Sequence, residues 1–188
     1  MIQRILLFCF CGSVFLLTSC VHGPVKKTIE QNAASMSGSV VDEALLLEGG
    51  DLALVPFKAG SKAEANDELD RLSMMVLKGI KESLDENDQN ISLHVVNETE
   101  AKPQIVLEGY FEEYSKTNRV SRMMMHPNKS TLTLEGDLWL VSTGKRLLTF
   151  SIKKKFNPKK EKSMDIAYAM GKEIGRFIVS KSKSKGNK

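Results

Sequence analysis

Few side chains in this 188-residue chain could do covalent or acid–base chemistry: it has three cysteines and three histidines. Cys9 and Cys11 lie in an apolar run, Ile5 to Leu17, behind the charged start Met1-Ile2-Gln3-Arg4. Cys20 ends the tetrapeptide Leu17-Thr18-Ser19-Cys20. His22 follows at once, His94 sits in an apolar segment, and His126 closes Met123-Met124-Met125-His126. Three thioethers beside an imidazole suit Cu(I). They equally suit an adaptable contact with a partner, because methionine packs on irregular surfaces. Partner contact is the preferred reading, with Arg119 and Arg122 flanking the loop and matching an acidic partner. No nucleophile elbow, zinc-protease helix, Walker loop or dinucleotide fingerprint occurs. Glu112 and Glu113 are adjacent on an expected strand and point apart, so they make no acid–base pair. The expectation is a non-catalytic protein without cofactor or metal.

The apolar run of 13 residues falls short of the roughly 20 needed to span a bilayer, and it has the length and flanks of a secretory signal. Leu17-Thr18-Ser19-Cys20 resembles the lipobox of bacterial lipoproteins. The resemblance implies a diacylglyceryl group on the Cys20 thiol, cleavage before it and acylation of the new amine. Each buried methylene contributes about 0.8 kcal/mol, so two or three chains anchor firmly. With Cys9 and Cys11 removed and Cys20 lipidated, no thiol remains for disulfides or thiolate zinc. Val21, rather than Asp, follows the cysteine. By the enteric sorting rule this points to the outer membrane, with the domain facing the periplasm.

Charge is segregated along the chain. Cys20–Gly144 holds 12 Lys/Arg against 20 Asp/Glu, whereas Lys145–Lys188 holds 14 against 3. The lysines cluster at Lys153, Lys154 and Lys155, at Lys159, Lys160 and Lys162, and at Lys181, Lys183, Lys185 and Lys188. Such a set attracts anionic surfaces. Aromatic residues are only 6% of the chain, which argues against a base-stacking platform, and export removes nucleic acid as a target.

The expected organisation is a signal peptide (1–19), a lipidated tether (20–50), a folded domain (51–180) and a basic tail (181–188). A flexible tether of 30 residues spans roughly 30 Å. Within it, the apolar patch Val40 to Leu47 fits an edge strand or a helical turn. Asp51 to Phe57 reads as a strand ended by Pro56. Ser61-Lys62-Ala63-Glu64 fits a capping box, and Leu69, Leu72, Val76, Ile80 and Leu84 follow at helical spacing. Ile91 to Val96 is a second strand. Gln104–Tyr114 and Thr131–Val141 alternate with period two, burying Ile105, Leu107, Phe111, Leu132, Leu134 and Leu138 on one face. Arg146–Phe156 completes an antiparallel meander. Ser163 caps a last helix in which Ala167, Gly171 and Gly175 form a narrow stripe, expected to let the helix approach the sheet closely. The order β-α-β-β-β-β-α gives a two-layer α+β domain. One mixed, mainly antiparallel sheet of about five strands carries two helices on one face.

Leu54-Val55-Pro56-Phe57, the segment Pro103 to Phe111 and the segment Leu138 to Lys145 resemble bacterial lipoproteins whose domain is related to the N-terminal domain of TolB. That group includes curli-secretion and penicillin-binding-protein-activator lipoproteins. The resemblance spans about Asp51 to Ser180. It implies an envelope accessory protein that binds other proteins. The expected role is in outer-membrane or cell-wall assembly, with the Met123–His126 loop and the exposed sheet face as the expected contact surfaces. The pore-forming insertion of the curli type and the proline-rich stretch of the activator type are lacking, so neither specific activity carries over. Alternatives are a self-assembling secretion-type ring and a small-ligand or metal carrier. Radiolabelled palmitate fed to cells is expected to label the parent protein and to leave the Cys20→Ala variant unlabelled, read by autoradiography.

Overall fold

A computed structural model describes residues 34–42, 50–87, 93–96, 102–115 and 130–182. The signal, most of the proposed tether, Cys20, the Met123–His126 loop with Arg119 and Arg122, and Lys183, Lys185 and Lys188 lie outside the described residues. Seven strands and two helices follow in the order β1 (Ser35–Val40), β2 (Gly50–Leu54), β3 (Lys58–Lys62), α1 (Asp67–Asp85), β4 (Leu93–Val96), β5 (Ile105–Ser115), β6 (Ser130–Leu140), β7 (Lys145–Phe156) and α2 (Ser163–Ser182). They form an α+β fold with one mixed, mainly antiparallel sheet in the order β1-β7-β6-β5-β2-β4, and β3 also joins β5.

Two strands exceed the expected five. β1 takes residues 35–40 out of the stretch assigned to the tether and pairs antiparallel with β7, from Ser35↔Lys153 to Val40↔Leu148. β3 occupies residues assigned to the start of the first helix. β2 and β3 take the same edge of β5 in succession, both parallel to it. Pro56 lies between them, where the ladder lapses after Val55 N–H donates to Leu107 O at 3.1 Å. The lapse turns Phe57 inward, and Ser73 Oγ on α1 accepts its N–H at 2.7 Å. The Phe57 ring fills the space above Gly109, where any Cβ would strike it. It also meets Phe111 edge-on, with ring centroids 6.2 Å apart.

The capping box is therefore displaced. Ser61 belongs to β3 and donates to Glu112 Oε1 at 2.9 Å. α1 begins at Asp67, where Asn66 Oδ1 accepts from the amides of Glu68 and Leu69 at 3.0 and 3.1 Å. Asn is at least as good an N-cap as Ser, and the β5 ladder holds Lys58–Lys62 extended. From Leu69 on the helical stripe is as expected, with Leu69, Leu72, Val76, Ile80 and Leu84 all buried.

Both helices pack on one sheet face, against Leu52, Leu107, Leu134, Leu138, Phe150 and Ile152 among others. The small-residue stripe serves the other helix and not the sheet. A Cβ at Gly171 would collide with the Val76 carbonyl, and one at Gly175 would sit 2.7 Å from Ser83 Cβ. Gly79 returns the contact against the backbone of Tyr168 and Lys172. Among the described residues no helix is long and apolar enough to cross a membrane. Gly171→Ala tests the contact, because alanine propensity favours the variant by up to about 1 kcal/mol whereas overpacking costs about 1–3 kcal/mol. Net destabilisation is expected in urea titrations.

Candidate functional site

With both helices on one side, the opposite face of the sheet is open, and its rows follow from the register. Glu108 faces Asp137, which faces Thr149 on β7 and through it Ser39 on β1. Tyr110 faces Glu135, Ser151 and Ser37 in the next row, with Lys58 of β3 on the other side of Tyr110. Val106 faces Trp139, and Trp139 faces Arg146. The exposed face therefore carries three carboxylates, two aromatic rings and several hydroxyls. A shallow groove of about 300 Å³ runs between Val55, Pro56, Lys58, Tyr110, Asp137 and Trp139.

Like charges directly across a ladder repel, and the face handles this unevenly. Arg146 Nε approaches Asp137 Oδ1 to 3.3 Å, and the guanidinium also lies 4.8 Å over the Trp139 ring. That approach is an ion pair without hydrogen-bond alignment, since Asp137 Oδ1 is buried and accepts no hydrogen bond. Glu135 accepts from Tyr110 Oη at 3.1 Å and from Ser151 Oγ at 3.3 Å. Partial burial and then the Glu135 contact push the Tyr110 hydroxyl pKa up. Glu108 is exposed and has no ion pair or hydrogen bond among the described residues.

A bulge between Phe111 and Glu113 interrupts β5. Glu112 is drawn to β3, where Ser61 and Lys62, 3.2 Å away, hold its pKa below the usual carboxylate value. Glu113 reaches Lys153 on β7 at 3.1 Å, across Thr133 of β6. The two adjacent glutamates thus serve separate neighbours. His94 lies in β4, beside Asp51 of β2. Among the described residues no group of His, Cys, Asp and Glu could hold a metal ion.

The other ionic contacts belong to the frame. Lys172 on α2 donates to Glu86 at 2.6 Å, which raises the lysine pKa, and Tyr168 donates to Glu82. Glu173, beside Lys154 and Arg176, has its pKa raised by burial that those cations only partly offset.

No family model matches the sequence, and no curated protein matches it. Solved structures do. The PelC dodecamer from Paraburkholderia phytofirmans aligns with TM-score 0.51 and 11% identity, covering 76% of this chain and 94% of that one. A point variant of the same dodecamer gives 0.52 and 11%, over 81% and 99%. Lipoprotein GNA1162 from Neisseria meningitidis aligns with TM-score 0.41 and 11% identity, over 73% and 99%. The likeness to PelC is one of fold.

The polar sheet face was legible as the wetter half of each alternating strand. Its cross-strand partners, Arg146 for Asp137 and Lys153 for Glu113, were not, because they depend on the register. A raised folded-state pKa means that stability is lost as pH rises through the Glu173 titration. Glu173→Gln is therefore expected to raise the melting temperature at pH 7. The gain should vanish near pH 3, where the parent carboxyl is protonated too.

Proposed function

We propose that this chain is an envelope lipoprotein, anchored through acyl chains on Cys20, that acts without catalysis as a protein-binding accessory in outer-membrane or cell-wall assembly. The observation that carries the reading is the one-sided sheet, whose second face is left open with Tyr110 and Trp139 beside Glu108, Glu135 and Asp137. Aromatic rings supply contact area at low entropic cost, and Glu108 has no partner among the described residues to give up. Glu112, Glu113, Glu135 and Asp137 are engaged in holding the sheet, which supports a binding role over acid–base work. The Met123–His126 segment, with Arg119 and Arg122, lies between β5 and β6 in the sequence and is proposed as a separate contact. The lipobox-like tetrapeptide and Val21 support anchoring in the outer membrane with the domain facing the periplasm.

A second reading is self-assembly, favoured by the likeness in fold to a protein solved as a dodecamer. One experiment separates the two. A photoreactive amino acid replaces Tyr110 in intact cells, with position 78 on the exposed side of α1 as control. Adducts with a different protein at position 110 alone support the accessory reading. Adducts at multiples of the protein's own mass support assembly, and identical patterns at both positions remove the open face from the proposal.

A further inference from the structure

Because β1 runs antiparallel to β7 with Ser35 opposite Lys153, the chain arriving from Cys20 enters the domain at the C-terminal end of β7. Only 14 residues separate Cys20 from Ser35. That length reaches at most about 50 Å fully extended.

The same end of the sheet is where the lysines gather. Past Lys153, Lys154 and Lys155 the chain turns at Asn157 and enters α2 at Ser163. The turn is well tied. Asn157 Oδ1 accepts from Lys159 N–H at 3.0 Å, and Asn157 O accepts from the amides of Lys160 and Glu161, each at 2.9 Å. Glu161 spends its carboxylate inside the turn, accepting from Asn157 N–H at 3.1 Å. Lys153 is paired with Glu113, and Lys154 lies near Glu173. Lys155, Lys159, Lys160 and Lys162 are exposed and have no ion pair among the described residues.

Acidic groups at this end are Glu64 ahead of α1, Asp67, Glu68 and Asp70 at its start, Asp165 in the first turn of α2 and Glu161 in the turn. Glu112 and Glu113 of β5 are here too, paired with Lys62 and Lys153. The Tyr114 hydroxyl donates to Glu68 at 2.7 Å and lies 3.4 Å from Ser163 Oγ, so the α1 acids border Lys162 at the start of α2. Lys155 stands two residues past the Ser35↔Lys153 pair at which the tether arrives, and the turn carrying Lys159 and Lys160 follows it.

We propose that this end of the domain docks on the anionic phospholipid headgroups of the leaflet that holds the Cys20 acyl chains. The inference rests on the anchoring reading above, which supplies the leaflet. Each lysine near an anionic bilayer adds electrostatic attraction to binding, and a polybasic patch is the usual second signal beside an acyl chain. Docking this way points the β6–β7 turn and the groove beside Trp139 away from the lipid and towards partners.

The test uses residues 20–188 with Cys20→Ser, so that acylation plays no part. Flotation is measured with vesicles of pure phosphatidylcholine and with vesicles one-third phosphatidylglycerol. The parent should bind only the anionic vesicles and leave them at about 0.5 M salt, where screening is strong. Replacing Lys155, Lys159, Lys160 and Lys162 together by Gln should weaken binding at least about thirtyfold. Lys78→Gln with Lys81→Gln on α1 should not weaken it, and circular dichroism checks that both forms fold. Binding that is equal on the two vesicle types, absent from both, or unchanged in the fourfold variant overturns the proposal. Palmitate labelling reports separately on the anchor.

Discussion

The architecture depends on how closely the two helices approach each other. At Gly79 and Gly171 backbone meets backbone with no room for a methyl group, and Gly175 lies close against Ser83. Helices normally lie 8–10 Å apart, and contact through glycine favours the near end of such a range. Six strands side by side measure roughly 24 Å at the usual spacing, so a tight pair cannot roof the sheet to its margins. Larger side chains cover the remainder. Phe177 of α2 reaches beneath Gly38 of β1, where a Cβ would lie 2.8 Å from its ring. Phe57 fills the space over Gly109 and meets Phe150 at 6.5 Å between ring centroids.

That economy explains which parts of the fold could be read from the chain. Strands and helices that border the centre carry strict periodicity, since one side of each is wholly dry. Leu107 opposite Leu138 and Phe111 opposite Leu134, all buried, are the clearest case. At the margins the code is fainter. β1 reads Ser-Met-Ser-Gly-Ser-Val, which alternates with period two once Gly38 is recognised as the slot for Phe177. The signal existed but was too polar to stand out from a tether. β3 offers less, because Lys-Ala-Gly-Ser-Lys has weak strand preference and is held extended by β5 after the proline interruption. Long-range pairing decided both elements.

The open face follows from the same geometry. A sheet covered on one side needs solvent-compatible residues on the other, and Ser37, Ser39, Thr149 and Ser151 meet that need at low cost. Carboxylates do so only where cations or hydroxyls offset them. Arg146 and Lys153 come from the basic stretch of the chain, while Asp137 and Glu113 come from the acidic one. Part of the charge segregation in the sequence is therefore internal pairing across β5, β6 and β7. What it leaves over, Glu108 on the face and Lys155 with the turn lysines at one end, is where interaction with other molecules is most economical.

The pairing of β1 with β7 joins residues more than a hundred positions apart, as Ser35 Oγ donating to Lys153 O illustrates. A ribosome makes chains from the N-terminus, so β1 emerges first and its hydrogen-bonding neighbour almost last. Until β7 is complete, six residues of bare backbone have nothing to bind. A greasy segment in that position would invite pairing with other nascent chains. Three serines and a glycine in six positions make β1 a poor seed for such errors, at the expense of a weaker final edge.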